Sequence, residues 1–304
     1  MLSRRSFIGT SAAFVGGTLS SAFAARAQQA AAAVTTSELG GGLFLFQGAG
    51  CNVVALRGDD GALMIDGGLA ANADALLRAV LAATRNDLVA TLINTHWHPE
   101  QTGANALVGR AGGTILAQEK TAMYLGSRAT STLFEGRLEP LPEEGRPKQK
   151  TRAEGTLQFG GQRVDYGYLP AAHTDGDLFV HFPQLNVLVA GGVVAAKSWP
   201  LLDYRNGAWF GGRVRALERL ASLIKPDTRV VPADGALLTG RDIVRQRDIL
   251  DELFVTMIGY MNMGLGAEDV VARNPLQKYA AEFGDASKFL DGAFRSMQIA
   301  YVPD

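Results

Sequence analysis

Two histidines one residue apart close an apolar run in the stretch INTHWHPEQTG, residues 93 to 103. If a β-strand ends there, His96 and His98 point to one side of the chain, because side chains alternate along an extended backbone. Two imidazoles so placed can share one metal ion. His173, in LPAAHTDGD, again follows an apolar strand directly and precedes a turn rich in Gly and Asp. The chain has only four histidines, and three of them on two strand-end loops make an open zinc site with one position left for water. Zinc held by three neutral imidazoles keeps its full charge and brings bound water toward a pKa of ~7, so a zinc-bound hydroxide is available at neutral pH. Glu100, two residues beyond His98, either orients that water and takes its proton or is a solvated carboxylate at a helix start, favoured by the helix dipole. Gln101 either fixes the water or a substrate carbonyl through its donor and acceptor groups, or simply begins the helix.

Such a loop needs strands to carry it. Apolar alternation and β-branched runs predict strands near 43–46, 52–56, 62–65 and 89–94. Between the last two, AANADALLRAVLAAT has helical spacing, so the first half reads β-β-β-α-β, with a further helix from about Gln101. The charged, proline-bearing segment from Phe134 to Gly155 is expected to be a surface loop or a lid over the same mouth. A second round of strands is expected near 162–169, 178–182, 187–190 and 229–231. Val214, Leu217, Leu220, Ala221 and Ile224 then share one helical face that stops before Pro226. Thr239 with Asp242 can cap a long helix through about Met261. The expected class is α/β, with two sheets packed face to face and helices outside.

Composition limits the partners. A chain of 304 residues, 47% hydrophobic and 19% charged, can bury a sizeable core, so disorder is not the default. Lys+Arg 29 against Asp+Glu 30 contains no basic block suited to nucleic acid or an anionic membrane surface, which leaves a small-molecule substrate. A single cysteine, Cys51, excludes an intrachain disulfide framework and any multi-cysteine zinc site. It reads as a small buried apolar residue outside the site, and His181, mid-strand, reads as structural.

The N-terminus reads as an address. Arg4 and Arg5 precede an Ala/Gly-rich, weakly apolar run that ends in small residues suited to cleavage, a pattern resembling a twin-arginine export signal. The expected organisation is a signal over 1–27, a flexible segment over 28–42, and one domain over 43–304 with a helical C-terminal extension. Removing the signal takes three arginines and no acids, leaving 26 basic against 30 acidic groups and a net charge of −4. The expected location is periplasmic, with the twin-arginine machinery as the exporting partner and no membrane association afterwards.

GALMIDGG, THWHPEQTG, AAHTDGD and LVAGGVV occur in the order and at roughly the separations of the metallo-β-lactamase superfamily, which the chain resembles from about Leu43 to Leu238. The set is specific, while each element alone is weak. The resemblance implies an αβ/βα four-layer sandwich with metal at the shared edge of the sheets. His96, His98 and His173 would be the three-histidine zinc site, and Asp66 would brace the metal loop from behind, with Asp234 as a second supporting carboxylate. The departures fall on one side. Where the family writes H-x-H-x-D-H, this chain has Glu100 and Gln101; its bridging aspartate is Gly192, and its late histidine is Asp234. Glutamate can still coordinate and Asp234 can supply a carboxylate, but glycine offers no side chain and glutamine is a poor zinc ligand. One zinc per chain is expected, with iron as the other metal the family uses.

Lys197, Trp199, Tyr204 and Trp209, together with Arg205 and Phe210, form an aromatic and cationic segment expected either to line a site for an anionic or polar substrate or to cover the sheet edge. The functional expectation is an exported metal-dependent hydrolase of an ester, lactone, lactam or thioester. The rivals are a non-catalytic exported binding protein and a redox or sulfur-handling iron enzyme.

Overall fold

A computed structural model describes residues 33–301, whose strands form two sheets. The first contains β1 (Thr35–Gly40), β2 (Leu43–Gln47), β3 (Val53–Leu56), β4 (Ala62–Ile65), β5 (Val89–Ile93), β6 (Thr114–Gln118) and β7 (Gln149–Thr151), neighbours in chain order. Pairing is antiparallel from β1 to β4 and parallel from β4 to β7. Parallel neighbours need crossovers. These are α1 (Ala73–Thr84), then α2 (Pro99–Thr102) with α3 (Asn105–Arg110), then α4 (Glu119–Leu125) with the long segment after it.

The second sheet contains β8 (Gly155–Phe159), β9 (Gln162–Leu169), β10 (Asp177–Phe182), β11 (Val187–Gly191), β12 (Arg229–Pro232) and β13 (Leu238–Thr239), in the order β13-β12-β11-β10-β9-β8. Only β11 and β12 run parallel, joined through α5 (Phe210–Leu223). The remaining helices are α6 (Gly240–Asn262), α7 (Ala267–Arg273), α8 (Ala280–Phe283) and α9 (Ser287–Tyr301). Thr239 and Asp242 form the capping box at the start of α6, as their spacing predicts.

Strand residues buried on both faces create the layers. In β4, Leu63 and Ile65 enter the core between the sheets, where they meet Val180, Phe182 and Val189 of the second sheet. Ala62 and Met64, on the other face, pack with Leu76 and Val80 of α1. On the outer face of the second sheet, Leu188 and Phe179 join a core built from α5, α6, α7 and α9. Helices, sheet, sheet and helices therefore form the four-layer α/β sandwich.

Two expectations are corrected. The segment 28–42 is not flexible throughout: Thr35–Gly40 is an edge strand paired antiparallel with β2, and Gly40, Gly41 and Gly42 make the tight turn with φ of 91°, 59° and 78°. Its outward residues Thr35 to Glu38 are exposed, so no apolar alternation marked it. The segment 134–155 is not all loop, because Gln149–Thr151 extends the first sheet beside β6. β6 itself was not foreseen, its three apolar residues lying between a glycine pair and a helix start. No helix among the described residues is long and apolar enough to cross a membrane. The export signal expected over residues 1–27 lies outside the described residues.

Candidate metal centre

Strand ends from both sheets meet at one edge. β4 leads directly into Asp66, β5 into the loop carrying His96 and His98, β9 into the loop carrying His173, β11 into Gly192 and β12 into the turn carrying Asp234. The backbone N–H of Leu178 in β10 donates to the Thr95 carbonyl at 2.7 Å, tying the second sheet to the histidine loop. All three imidazoles are buried, at 2%, 5% and 8% exposure for His96, His98 and His173, and they offer ligand atoms within 4.8 Å of one another. Burial, followed by the neighbouring histidines, holds His96 and His173 well below the ordinary imidazole range, so both are neutral and able to ligate.

Each ring has its outer nitrogen engaged, which decides the nitrogen left for metal. His173 Nδ1 donates to the Leu201 carbonyl at 2.8 Å, leaving Nε2 bare. His98 Nε2 donates to Asp203 Oδ2 at 3.0 Å, leaving Nδ1 bare. His96 Nδ1 lies 3.0 Å from Thr95 Oγ1, which donates onward to Asp66 Oδ2 at 2.8 Å. His98 Nδ1 and His173 Nε2 face each other at 3.2 Å. Two nitrogens bound tetrahedrally at zinc distances stand about 3.3 Å apart, so this spacing suits a shared ion. The residues therefore fit one metal ion.

The supports are themselves buried. Asp66 takes a left-handed backbone, φ 64°, which aims its carboxylate at the Thr95 N–H (2.7 Å) and hydroxyl. Burial pushes its pKa up to about 7 against those two hydrogen bonds. Asp66 thus braces His96 through Thr95. Asp203 is raised by burial, yet hydrogen bonds headed by His98 outweigh that and hold it at about 2. Asp177 accepts the backbone N–H groups of His173 (2.6 Å) and Thr174 (2.9 Å), fixing the His173 turn. Arg213, wholly buried, donates to the carbonyls of Ala172, Gly192, Val193 and Leu201 and so clamps the β9–β10 loop to the segment between β11 and α5. Thr95, Asp203, Arg213 and the Leu201 carbonyl were missed in the sequence. Asp203 lies 105 positions from His98, and no local spacing links them.

The opposite side of the centre differs. Glu100 is half-buried, Gln101 buried and Asp234 exposed; among the described residues no hydrogen bond holds these three side chains. A Cβ on Gly192 would collide with the His173 ring, reaching within 2.7 Å of Nε2. The space a side chain would need there is taken by a histidine.

A cavity of about 380 Å³ opens beside the three histidines, lined also by Glu100, Gln101, Asp234, Leu133 and Phe134. Asp234 is a cavity wall and not a brace, since it bonds to none of the histidines. Trp199 reaches the cavity but packs chiefly between Phe283 and Phe289, its Nε1 donating to the Gly284 carbonyl at 3.2 Å. Lys197, Tyr204 and Trp209 do not line it, and neither does Arg205. Trp209 borders a separate hollow under Arg215 and Arg219, because adjacent residues in an irregular segment need not face one way. Cys51, expected outside the site, lines the cavity as a buried thiol whose pKa burial raises. Of the 134–155 segment, only Phe134 reaches the site, edge-on to His98 at 5.7 Å between centroids. His181 is elsewhere, opposite Asp165 in the β9–β10 pair.

The metallo-beta-lactamase superfamily profile matches residues 47–238, well over half the chain and all of the centre just described. Among solved structures, the chain is similar to a metallo-beta-lactamase from Pontibacter korlensis, with TM-score 0.58 and 20% identity over 72% of this chain and 99% of that one. It is similar to the DIM-1 metallo-beta-lactamase, with TM-score 0.57 and 16% identity over 72% and 98%. It is similar also to the stereoselective inverting sec-alkylsulfatase Pisa1 from Pseudomonas sp., with TM-score 0.63 and 16% identity over 88% of this chain and 50% of that one. Identities this low speak for the fold alone. No curated protein matches the chain. With the profile covering most strands of both sheets and every histidine of the centre, the chain belongs to the metallo-beta-lactamase superfamily.

Proposed function

We propose that the protein is an exported hydrolase of an ester, lactone, lactam or thioester that works with one metal ion, zinc in preference to iron. The observation that carries this reading is the asymmetry of the centre. Three histidines present bare nitrogens to one point, while the Gly192 position, where a second ion would find a bridging carboxylate, is filled by the His173 ring. When bound, zinc supplies a Lewis acid and brings a water toward a pKa of ~7. His96 and His173 would hold it through Nε2 and His98 through Nδ1, the ring nitrogens not engaged by Thr95, Leu201 and Asp203. Glu100, at the cavity wall, receives the proton released by the attacking water, and Gln101 offers its amide to the substrate carbonyl. Leu133 and Phe134 exclude bulk water on the His98 side. Export through the twin-arginine machinery fits Arg4 and Arg5 and delivers a folded chain with its metal inside.

Expressed with its own N-terminus in an exporting host, the protein should be recovered from the periplasmic fraction with close to one zinc per chain. His98→Ala should lose that zinc and all ester hydrolysis while keeping its circular dichroism spectrum. A folded, metal-free protein points instead to the binding-protein reading, bound iron to redox chemistry, and two tight metals to a restored second site. Recovery from the cytoplasm alone removes the export half.

A further inference from the structure

The cavity beside the three histidines is lined by two carboxylates, the neutral polar side chains of Gln101 and Ser198, and apolar groups and, among the described residues, by no lysine or arginine. Leu133, Phe134, Val194, Trp199, Pro200 and Leu201 supply its larger apolar lining. Glu100 and Asp234 are its charged groups, both acidic. The Arg213 guanidinium is buried and spends its donors on four backbone carbonyls, so it cannot turn to meet a ligand.

We infer that the site takes acyl esters and lactones whose acyl portion is uncharged and apolar, and turns anionic substrates away. The inference rests on the hydrolase reading above and adds the substrate class to it. A metal ion attracts the carbonyl at the reacting end whatever the rest of the molecule carries. Discrimination therefore falls on the far end of the acyl group. An anionic group there would leave water without a cationic partner and would face Glu100 and Asp234, two unfavourable changes at once. An alkyl chain loses nothing by leaving water and gains the apolar walls. The cavity volume lies in the range used for small ligands.

The chemistry is consistent with the same charge pattern. The oxygen of water bonds to the acyl carbon, the acyl C–O bond breaks, and the leaving alcohol departs with one proton of the water. The other proton passes through Glu100 to solvent, and the acid is released as a carboxylate. A neutral substrate thus becomes an anionic product between two carboxylates, which favours its exit.

The test compares phenyl hexanoate with the same ester carrying a sulfonate at the far end of the acyl chain, a poor metal ligand, on the zinc-loaded protein. The neutral ester should have a kcat/KM at least about tenfold higher, the scale of a like-charge contact, and Asp234→Lys should narrow that ratio. Equal or faster turnover of the sulfonated ester overturns the inference. If neither ester is hydrolysed, the hydrolase reading falls instead, and calorimetric binding of the two corresponding amides decides the substrate class. Tighter binding of the neutral amide then upholds it, and equal or tighter binding of the sulfonated amide overturns it.

Discussion

One side of the centre is braced and the other is bare. On the braced side each imidazole is held from behind, by Thr95 and Asp66, by Asp203, or by the Leu201 carbonyl. On the bare side, Glu100, Gln101 and Asp234 face the same cavity with no hydrogen bond to hold them among the described residues. A ligand that is not oriented must lose rotamer freedom when it binds, whereas an oriented one has lost it on folding. Among the described residues the same cavity therefore contains one prepared metal position, the three histidines. Substitution of ligand types alone would have left the second position weak, and the occupation of the Gly192 space by His173 closes it sterically.

The largest expected effect comes from trying to rebuild the bare side. Gly192→Asp restores the carboxylate but drives a Cβ into the His173 ring, which must shift from its bond to the Leu201 carbonyl. Zinc affinity, read by competition with a chromophoric chelator, should fall by about a hundredfold, the upper end of what disturbed ligand orientation costs. Two tightly bound metals in this variant would break the comparison, since His173 would then have room to yield.

A smaller effect separates a brace from a wall. Asp203→Asn keeps a side-chain oxygen near Thr132 and Asn206 but weakens the partner of His98 Nε2, and should lower zinc affinity about tenfold. Asp234→Asn should leave zinc affinity close to that of the parent protein, because its carboxylate is exposed and touches no histidine. If the two variants weaken zinc equally, Asp234 is a ligand and the centre is not one-sided.

How much of this was legible in the sequence follows from chain distance. His96, His98 and His173 were visible because each sits just past an apolar strand, and the strand pattern is local. Asp66 was visible through the family motif that contains it. Asp203 and Arg213 were not, since they act on residues 105 and 41 positions away and their own surroundings look like ordinary loop and helix. The aromatic segment misled for the same reason. Trp199 and Trp209 are ten residues apart in an irregular stretch, and packing sends them to different places, Trp199 against Phe289 of α9 and Trp209 against Phe254 of α6. Thr35–Gly40 was hidden because an exposed edge strand needs no apolar alternation.

The fourth histidine gives the scale for the other three. His181 is half-buried in β10, opposite Asp165, and burial lowers its pKa, with Arg163 adding to that and Asp165 opposing it. The folded protein then binds this proton less readily than the unfolded chain does. The stability His181 contributes is fully present above the ordinary imidazole value of ~6.5 and is lost as pH falls through and below it. His181→Gln should leave zinc content untouched and flatten only that acid-side loss, so parent and variant should differ more in relative melting temperature at about pH 5 than at about pH 7. Both proteins keep the same three ligands, so metal release at low pH cancels in the difference. A drop in zinc content on removing His181 would show that imidazoles outside the centre also serve it. The contrast between a braced side and a bare one would then lose its clearest control.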